Sequence, residues 1–158
     1  MDMGVLFLEN AYKCLEEGGR MGIVLSNSIA SIKEWQNIRK WFIERMRIVA
    51  TFDLPANTFG ETGVATTIII AYKPKQSEKH LLQADYEVFV KEVVNIGYEV
   101  KTVKRSVHFA PQYIINEETF EKTGQLNEDF SAMQQEFREF LKRQEEEIKN
   151  AFHLDKIN

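Results

Sequence analysis

The sequence predicts an α/β domain whose sheet is mostly parallel and closes with one antiparallel strand. Three observations carry that expectation. Residues 21–25 (MGIVL) are almost wholly apolar with little alternation, the pattern of a strand covered by helices on both faces. A helix-length amphipathic segment separates this run from a second apolar run at residues 47–54. A loop of roughly ten residues then leads to the β-branched run 66–72 (TTIIIAY); a parallel crossover needs a dozen or more, so these last two strands are expected to be antiparallel.

The elements follow in order. In residues 4–17, Val5, Leu8, Tyr12 and Leu15 recur at helical spacing, with Glu9, Lys13, Glu16 and Glu17 turned to water. Cys14 reads there as a small packing residue, since no histidine or cationic pocket is apparent beside it. Gly18-Gly19 closes that helix as a left-handed cap. Ser26, Asn27 and Ser28 end the first strand and offer an N-cap. Ile29, Ile32, Trp35, Ile38, Trp41, Phe42 and Met46 then predict one continuous amphipathic helix over residues 30–46, its tryptophans anchoring the core. The loop ANTFGETGVA follows Pro55 and carries Phe59 among small and polar neighbours.

Beyond residue 75 the composition changes. Residues 75–80 read as a polar linker. The run 85–94 is expected to pair with residues 97–107 as a hairpin turning at Asn95-Ile96-Gly97. Lys101, Lys104 and Arg105 on its second arm read as a solvated strand face rather than a phosphate site. Residues 125–152 predict one long charged helix with a narrow apolar seam of Phe130, Met133, Phe137, Phe140 and Ile148. The expected organisation is therefore a unit at 1–75, an accessory hairpin and linker region at 76–124, and a charged helix at 125–158.

Composition bounds the function. The 158 residues contain 44% hydrophobic and 28% charged side chains, enough for one domain with a core. A net charge of −4 argues against nucleic-acid binding by bulk electrostatics and leaves a local basic patch or charge supplied by a partner. No apolar run approaches the roughly 20 residues of a membrane span. Met1-Asp2 opens no signal-peptide pattern, and the single cysteine cannot form an internal disulfide, so a cytoplasmic location is expected. The three histidines share no ligand spacing, so no metal site is expected.

The strings LFLENAYKCLEEGGRMGIVLSNSI and EWQNIRKWFIERMRIVATFDLPANTFGETGVATTIIIAYKP resemble the downstream half of N6-adenine DNA methyltransferases, and most of all the modification subunit of type I restriction–modification systems. The likeness covers about residues 4–75 and lies in the ordered series: helix, GGR strand, tryptophan-bearing helix, strand ending Leu54-Pro55, a phenylalanine, and a G-V-x-T strand. NIGYEV and the charged tail are similar in kind. The resemblance implies part of a class I S-adenosylmethionine-dependent, Rossmann-like fold, with the fifth strand at 21–26, the sixth at 47–54 and the antiparallel seventh at 65–73. It also implies that Phe59 stacks on a flipped-out adenine, the alternative being a hydrophobic plug on the core.

Two family requirements are missing from the sequence. No glycine-rich turn follows an early strand, and no N-P-P-F or D-P-P-Y string occurs; Pro55, Pro74 and Pro111 are isolated. The chain is therefore expected to hold neither a catalytic nor an S-adenosylmethionine-binding residue, and to be inactive alone as a C-terminal fragment. Two alternatives stay open: an assembly module of a split methyltransferase, or part of a related enzyme acting on RNA or protein. Expected partners are the N-terminal half of the enzyme, the specificity and restriction subunits, DNA in the intact complex, and a second copy of this chain. Self-association is expected because strand 21–26 lacks the neighbour the family places beside it, the alternative being that residues 85–107 fold back over that edge.

Overall fold

The centre of the protein is a four-stranded sheet in the order β1-β3-β2-β4, formed by β1 (Arg20–Ser26), β2 (Arg47–Leu54), β3 (Thr66–Tyr72) and β4 (Phe89–Glu92). The computed structural model describes residues 3–60, 62–83 and 85–153. β3 runs antiparallel to both neighbours, pairing Ile69 with Ile23 on one side and with Thr51 on the other. β1 and β2 therefore run the same way, and the antiparallel relation expected for β2 and β3 holds.

One face of the sheet carries α1 (Met3–Cys14), α2 (Ser28–Ser31) and α3 (Gln36–Ile43). Leu8, Met21, Leu25, Ile29, Phe42, Met46 and Ala71 form the core on that side. Both tryptophans pack against it, and Trp41 meets Tyr12 edge-on at 5.2 Å. Lys73 caps the end of α1, donating to the carbonyls of Tyr12 and Leu15 at 3.1 and 2.7 Å while lying over the Tyr12 ring. A cation there offsets the negative end of the helix dipole. Gly18 takes φ +82°, the left-handed turn expected of it. Cys14, expected to pack, is exposed at the end of α1.

The opposite face holds Val49, Tyr72, Leu81, Phe140, Leu141 and Ile148 under α4 (Phe130–Leu141) and α5 (Glu146–Ala151). Leu81 comes from a 3-10 helix at Gln76–Leu82, where the sequence suggested only a linker. This second layer packs over the Tyr72–Val49 end of the sheet. Val24 on β1 is left 46% exposed, so β1 alternates between buried and open residues. The expectation that both its faces are buried is thus corrected.

Three further expectations are also corrected. The helix over 30–46 is interrupted: Ile32 is extended, a 3-10 turn spans Lys33–Trp35, and α3 ends at Ile43. Arg39 donates to the carbonyls of Ile29 and Ile32, both at 2.8 Å, and so satisfies groups the break sets free. Residues 85–94 make no hairpin with residues 97–107; Phe89–Glu92 instead adds to the sheet parallel to β2. The segment covers the β2 edge, leaving the far side of β1 without a strand among the described residues. The single helix over 125–152 is replaced by a strand end at Leu126, α4, a break at residues 142–145, and α5. Residues 154–158 of the expected unit at 125–158 lie outside the described residues.

Between β4 and α4 the chain makes two separate two-stranded ribbons, β5 (Tyr98–Val103) with β6 (Ser106–Pro111), and β7 (Tyr113–Ile115) with β8 (Lys122–Leu126). No helix among the described residues is long and apolar enough to cross a membrane.

Candidate functional site

Open α/β sheets bind their ligands beyond the carboxyl ends of the parallel strands, because loops there are held by the sheet but free to vary. In this protein that end carries the loop from Pro55 to Ala65, and Phe59 is on it. The base of the loop is fixed by a cross-strand contact. Thr67 Oγ1, almost fully buried, donates to Asp53 Oδ1 at 2.6 Å between residues directly opposite in the sheet. The turn itself is tied by Thr58, whose hydroxyl donates to the Pro55 carbonyl at 2.6 Å. Asn57 lies in the left-handed region at φ 67°, a conformation its short amide side chain tolerates better than most. Phe59 emerges from this turn 46% exposed. It is not folded into the core as a plug.

The β5–β6 ribbon docks on the same turn. The Tyr98 hydroxyl donates to the Thr58 carbonyl at 2.7 Å. Gly60 allows the close approach, because a Cβ there would lie 2.6 Å from Val107 and 2.9 Å from Phe109. Tyr98 meets Phe109 edge-on with centroids 5.4 Å apart. Together with Phe59 these rings line an open cleft of about 540 Å³. Aromatic faces in an open groove are suited to stacking a planar ligand, and every nucleobase has such a face. Sequence reasoning singled out Phe59 and not Tyr98 or Phe109, which share the cleft with it. The signal available was NIGYEV, where a tyrosine follows a glycine; Gly97 takes φ +82° and turns the chain into β5.

The start of that ribbon is held from the other side by Asp129, which precedes α4. Its carboxylate accepts the backbone N–H groups of Asn95 at 2.7 Å and Val94 at 2.8 Å. Those amides hold the Asp129 carboxyl below the usual aspartate range, against a smaller opposing effect of burial. A second, mainly apolar cavity of about 240 Å³ lies between α3 and the sheet, with Asp53 and Thr67 on its wall.

A cradle for S-adenosylmethionine needs a glycine turn open to the ligand, and Gly18, Gly19 and Gly60 do not supply one, since each faces a side chain within 2.8 Å of the Cβ position. Gly18 and Gly19 also sit at the amino end of β1, away from the ligand end of the sheet. Among the described residues no group of three or more His, Cys, Asp or Glu side chains is placed to hold a metal ion.

No curated protein matches the chain. The family described as N-6 DNA methylase matches residues 2–155, which takes in the sheet, both ribbons and both helical layers. The chain belongs to the N-6 DNA methylase family.

Proposed function

We propose that this chain supplies the downstream part of an adenine-N6 DNA methyltransferase, the modification subunit of a type I restriction–modification system. In this reading β1, β2 and β3 are the fifth, sixth and seventh strands of a class I, Rossmann-like methyltransferase sheet. The observation that carries it is the placement of β3, antiparallel and inserted between two strands that run together, with the Phe59 loop at their carboxyl end. Phe59 stacks on the adenine drawn out of the duplex, restoring part of the stacking that base loses, about 1–3 kcal/mol. S-adenosylmethionine and the N-P-P-F/Y loop belong to residues other than these 158, so the chain alone transfers no methyl group.

The free side of β1 favours one further reading, in which those residues belong to a separate polypeptide of a split enzyme. Among the described residues no strand pairs with that edge, and an added strand would satisfy its backbone donors and acceptors. The same edge supports self-association in the absence of its partner. Specificity and restriction subunits complete the proposed assembly, and its location is cytoplasmic.

A tritiated-methyl transfer assay tests the proposal. The isolated chain is expected to label no DNA. Addition of a polypeptide bearing a strand, a glycine-rich turn and an N-P-P-F string is expected to restore labelling of adenine N6. Turnover by the isolated chain, or restored labelling of RNA or protein in place of DNA, overturns it.

A further inference from the structure

We infer that the β5–β6 ribbon is an arm that grips the phosphate backbone of duplex DNA through Lys101, Lys104 and Arg105, beside the Phe59 cleft. This rests on the reading of the chain as part of a DNA-modifying enzyme and adds a second contact surface to it.

The two faces of the ribbon differ in chemistry. Register pairs Tyr98 with Pro111, Val100 with Phe109 and Thr102 with Val107, and this face meets Gly60 and lines the cleft. The other face carries Glu99, Lys101 and Val103 on β5, with His108 directly opposite Lys101. Lys104 and Arg105 form the tip. Over residues 98–111 three fixed positive charges stand against one carboxylate, in a chain whose overall charge is −4. The negative excess therefore lies elsewhere, and the ribbon is a local basic element.

The tip has a conformation its residues do not favour. Lys104 and Arg105 take φ 49° and 70°, the two successive left-handed residues of a tight hairpin turn. Asn-Gly suits such a turn, and long side chains are disfavoured in it. Neither cation forms an ion pair among the described residues. Among the described residues Lys101 pairs only with Glu99, at 3.5 Å, with both side chains more than half exposed. Such a pair contributes little and leaves Lys101 able to exchange partners. Two unpaired cations held in a costly turn are poorly explained by folding stability.

Reach and placement agree with a phosphate partner. At about 3.4 Å per residue the ribbon carries its tip roughly 17 Å beyond Tyr98, more than the ~12 Å width of a major groove. Tyr98 is anchored at the mouth of the cleft by its bond to Thr58. A duplex whose base enters the cleft therefore has phosphates within reach of the tip. Cations there fix the register of the duplex without reading its sequence.

The test tracks amide resonances of the full chain during titration with a short DNA duplex at about 50 mM salt, and affinity as salt is raised. The variant K104N/R105G replaces the tip by a pair that favours the same turn, so the ribbon is retained while two charges are lost. The largest shifts are expected at residues 101–108. The variant is expected to bind roughly tenfold or more weakly, with a log–log salt slope smaller by nearly two. K101Q is expected to lower the slope by about one. Duplex binding with unchanged slope in the variant, or with shifts confined to other elements, overturns the arm and leaves the DNA reading intact. No binding of any duplex overturns the arm, while the methyltransferase reading stands or falls by the labelling assay. Tighter binding of a single-stranded RNA overturns the duplex assignment.

Discussion

The guanidinium of Arg47, 2% exposed at the start of β2, reaches both carboxylate oxygens of Glu145 at 2.9 and 3.2 Å in the break between α4 and α5. The same group donates to the Leu81 carbonyl at 3.0 Å and lies 3.7 Å from the Tyr86 ring centroid. One side chain thus ties the sheet to three later segments. Arg47→Ala is expected to cost about 3 kcal/mol or more, since it leaves a buried carbonyl unpaired and opens a cavity. Glu145 is 41% exposed, so water replaces part of its role and Glu145→Ala is expected to cost about 1–2 kcal/mol. Urea midpoints at constant slope measure both.

Asp129 makes stability depend on acid. Its folded carboxyl titrates below the ordinary aspartate value because the Asn95 and Val94 amides favour the charged form. The carboxylate therefore contributes fully above the ordinary aspartate range, and the contribution is lost as pH falls through the folded value. Asp129→Asn is expected to be less stable than the natural chain at about pH 7, with the gap narrowing below about pH 4. Denaturation across that range reads the gap; a gap independent of pH counts against this role.

The ribbon and the Phe59 turn should separate when their seam is filled. Gly60→Ala places a methyl group against Val107 and Phe109 and is expected to cost about 1–3 kcal/mol. Tyr98→Phe loses only the bond to Thr58 and is expected to cost about 1 kcal/mol. Amide hydrogen exchange in residues 56–60 should accelerate in both, and more in Gly60→Ala.

Phe59 is half exposed, so Phe59→Ala is expected to alter the stability of the chain by less than about 1 kcal/mol. In the reconstituted enzyme the same change is expected to lower kcat/KM about tenfold to a hundredfold, and Phe59→Trp to retain most activity. Loss of stability matching the loss of activity would point to a packing role instead.

The edge of β1 gives an expectation about assembly. Val24 is exposed on a strand with no neighbour on its outer side among the described residues. The isolated chain is expected to self-associate in light scattering, and Val24→Lys to shift it toward monomer. A monomeric mass for the natural chain at high concentration removes the basis for edge pairing.

The central sheet was readable from the amino acids because its strands carry their own signals. Residues 47–54 and 66–72 are apolar or β-branched runs with turn residues beside them, and the short loop between them forces the antiparallel relation. Phe59 was readable as the one aromatic in a loop of small and polar residues. Other features depend on partners far away in the chain. Phe89–Glu92 is too short to declare its pairing; its place beside β2 is set by Phe89 meeting Phe52, Phe137 and Phe140.

The helical period through residues 125–152 is continuous, yet the chain breaks at residues 142–145, where Arg47 binds Glu145. Period alone does not register such a contact. Tyr98 and Phe109 likewise join Phe59 only once Gly60 admits the ribbon. Local propensity and pattern determined β1, β2 and β3, and the family resemblance singled out Phe59 on the loop between the last two. Tertiary packing decided which segments share an edge, where helices stop, and which side chains meet in the cleft, because those choices are made by burial and pairing between residues far apart in sequence.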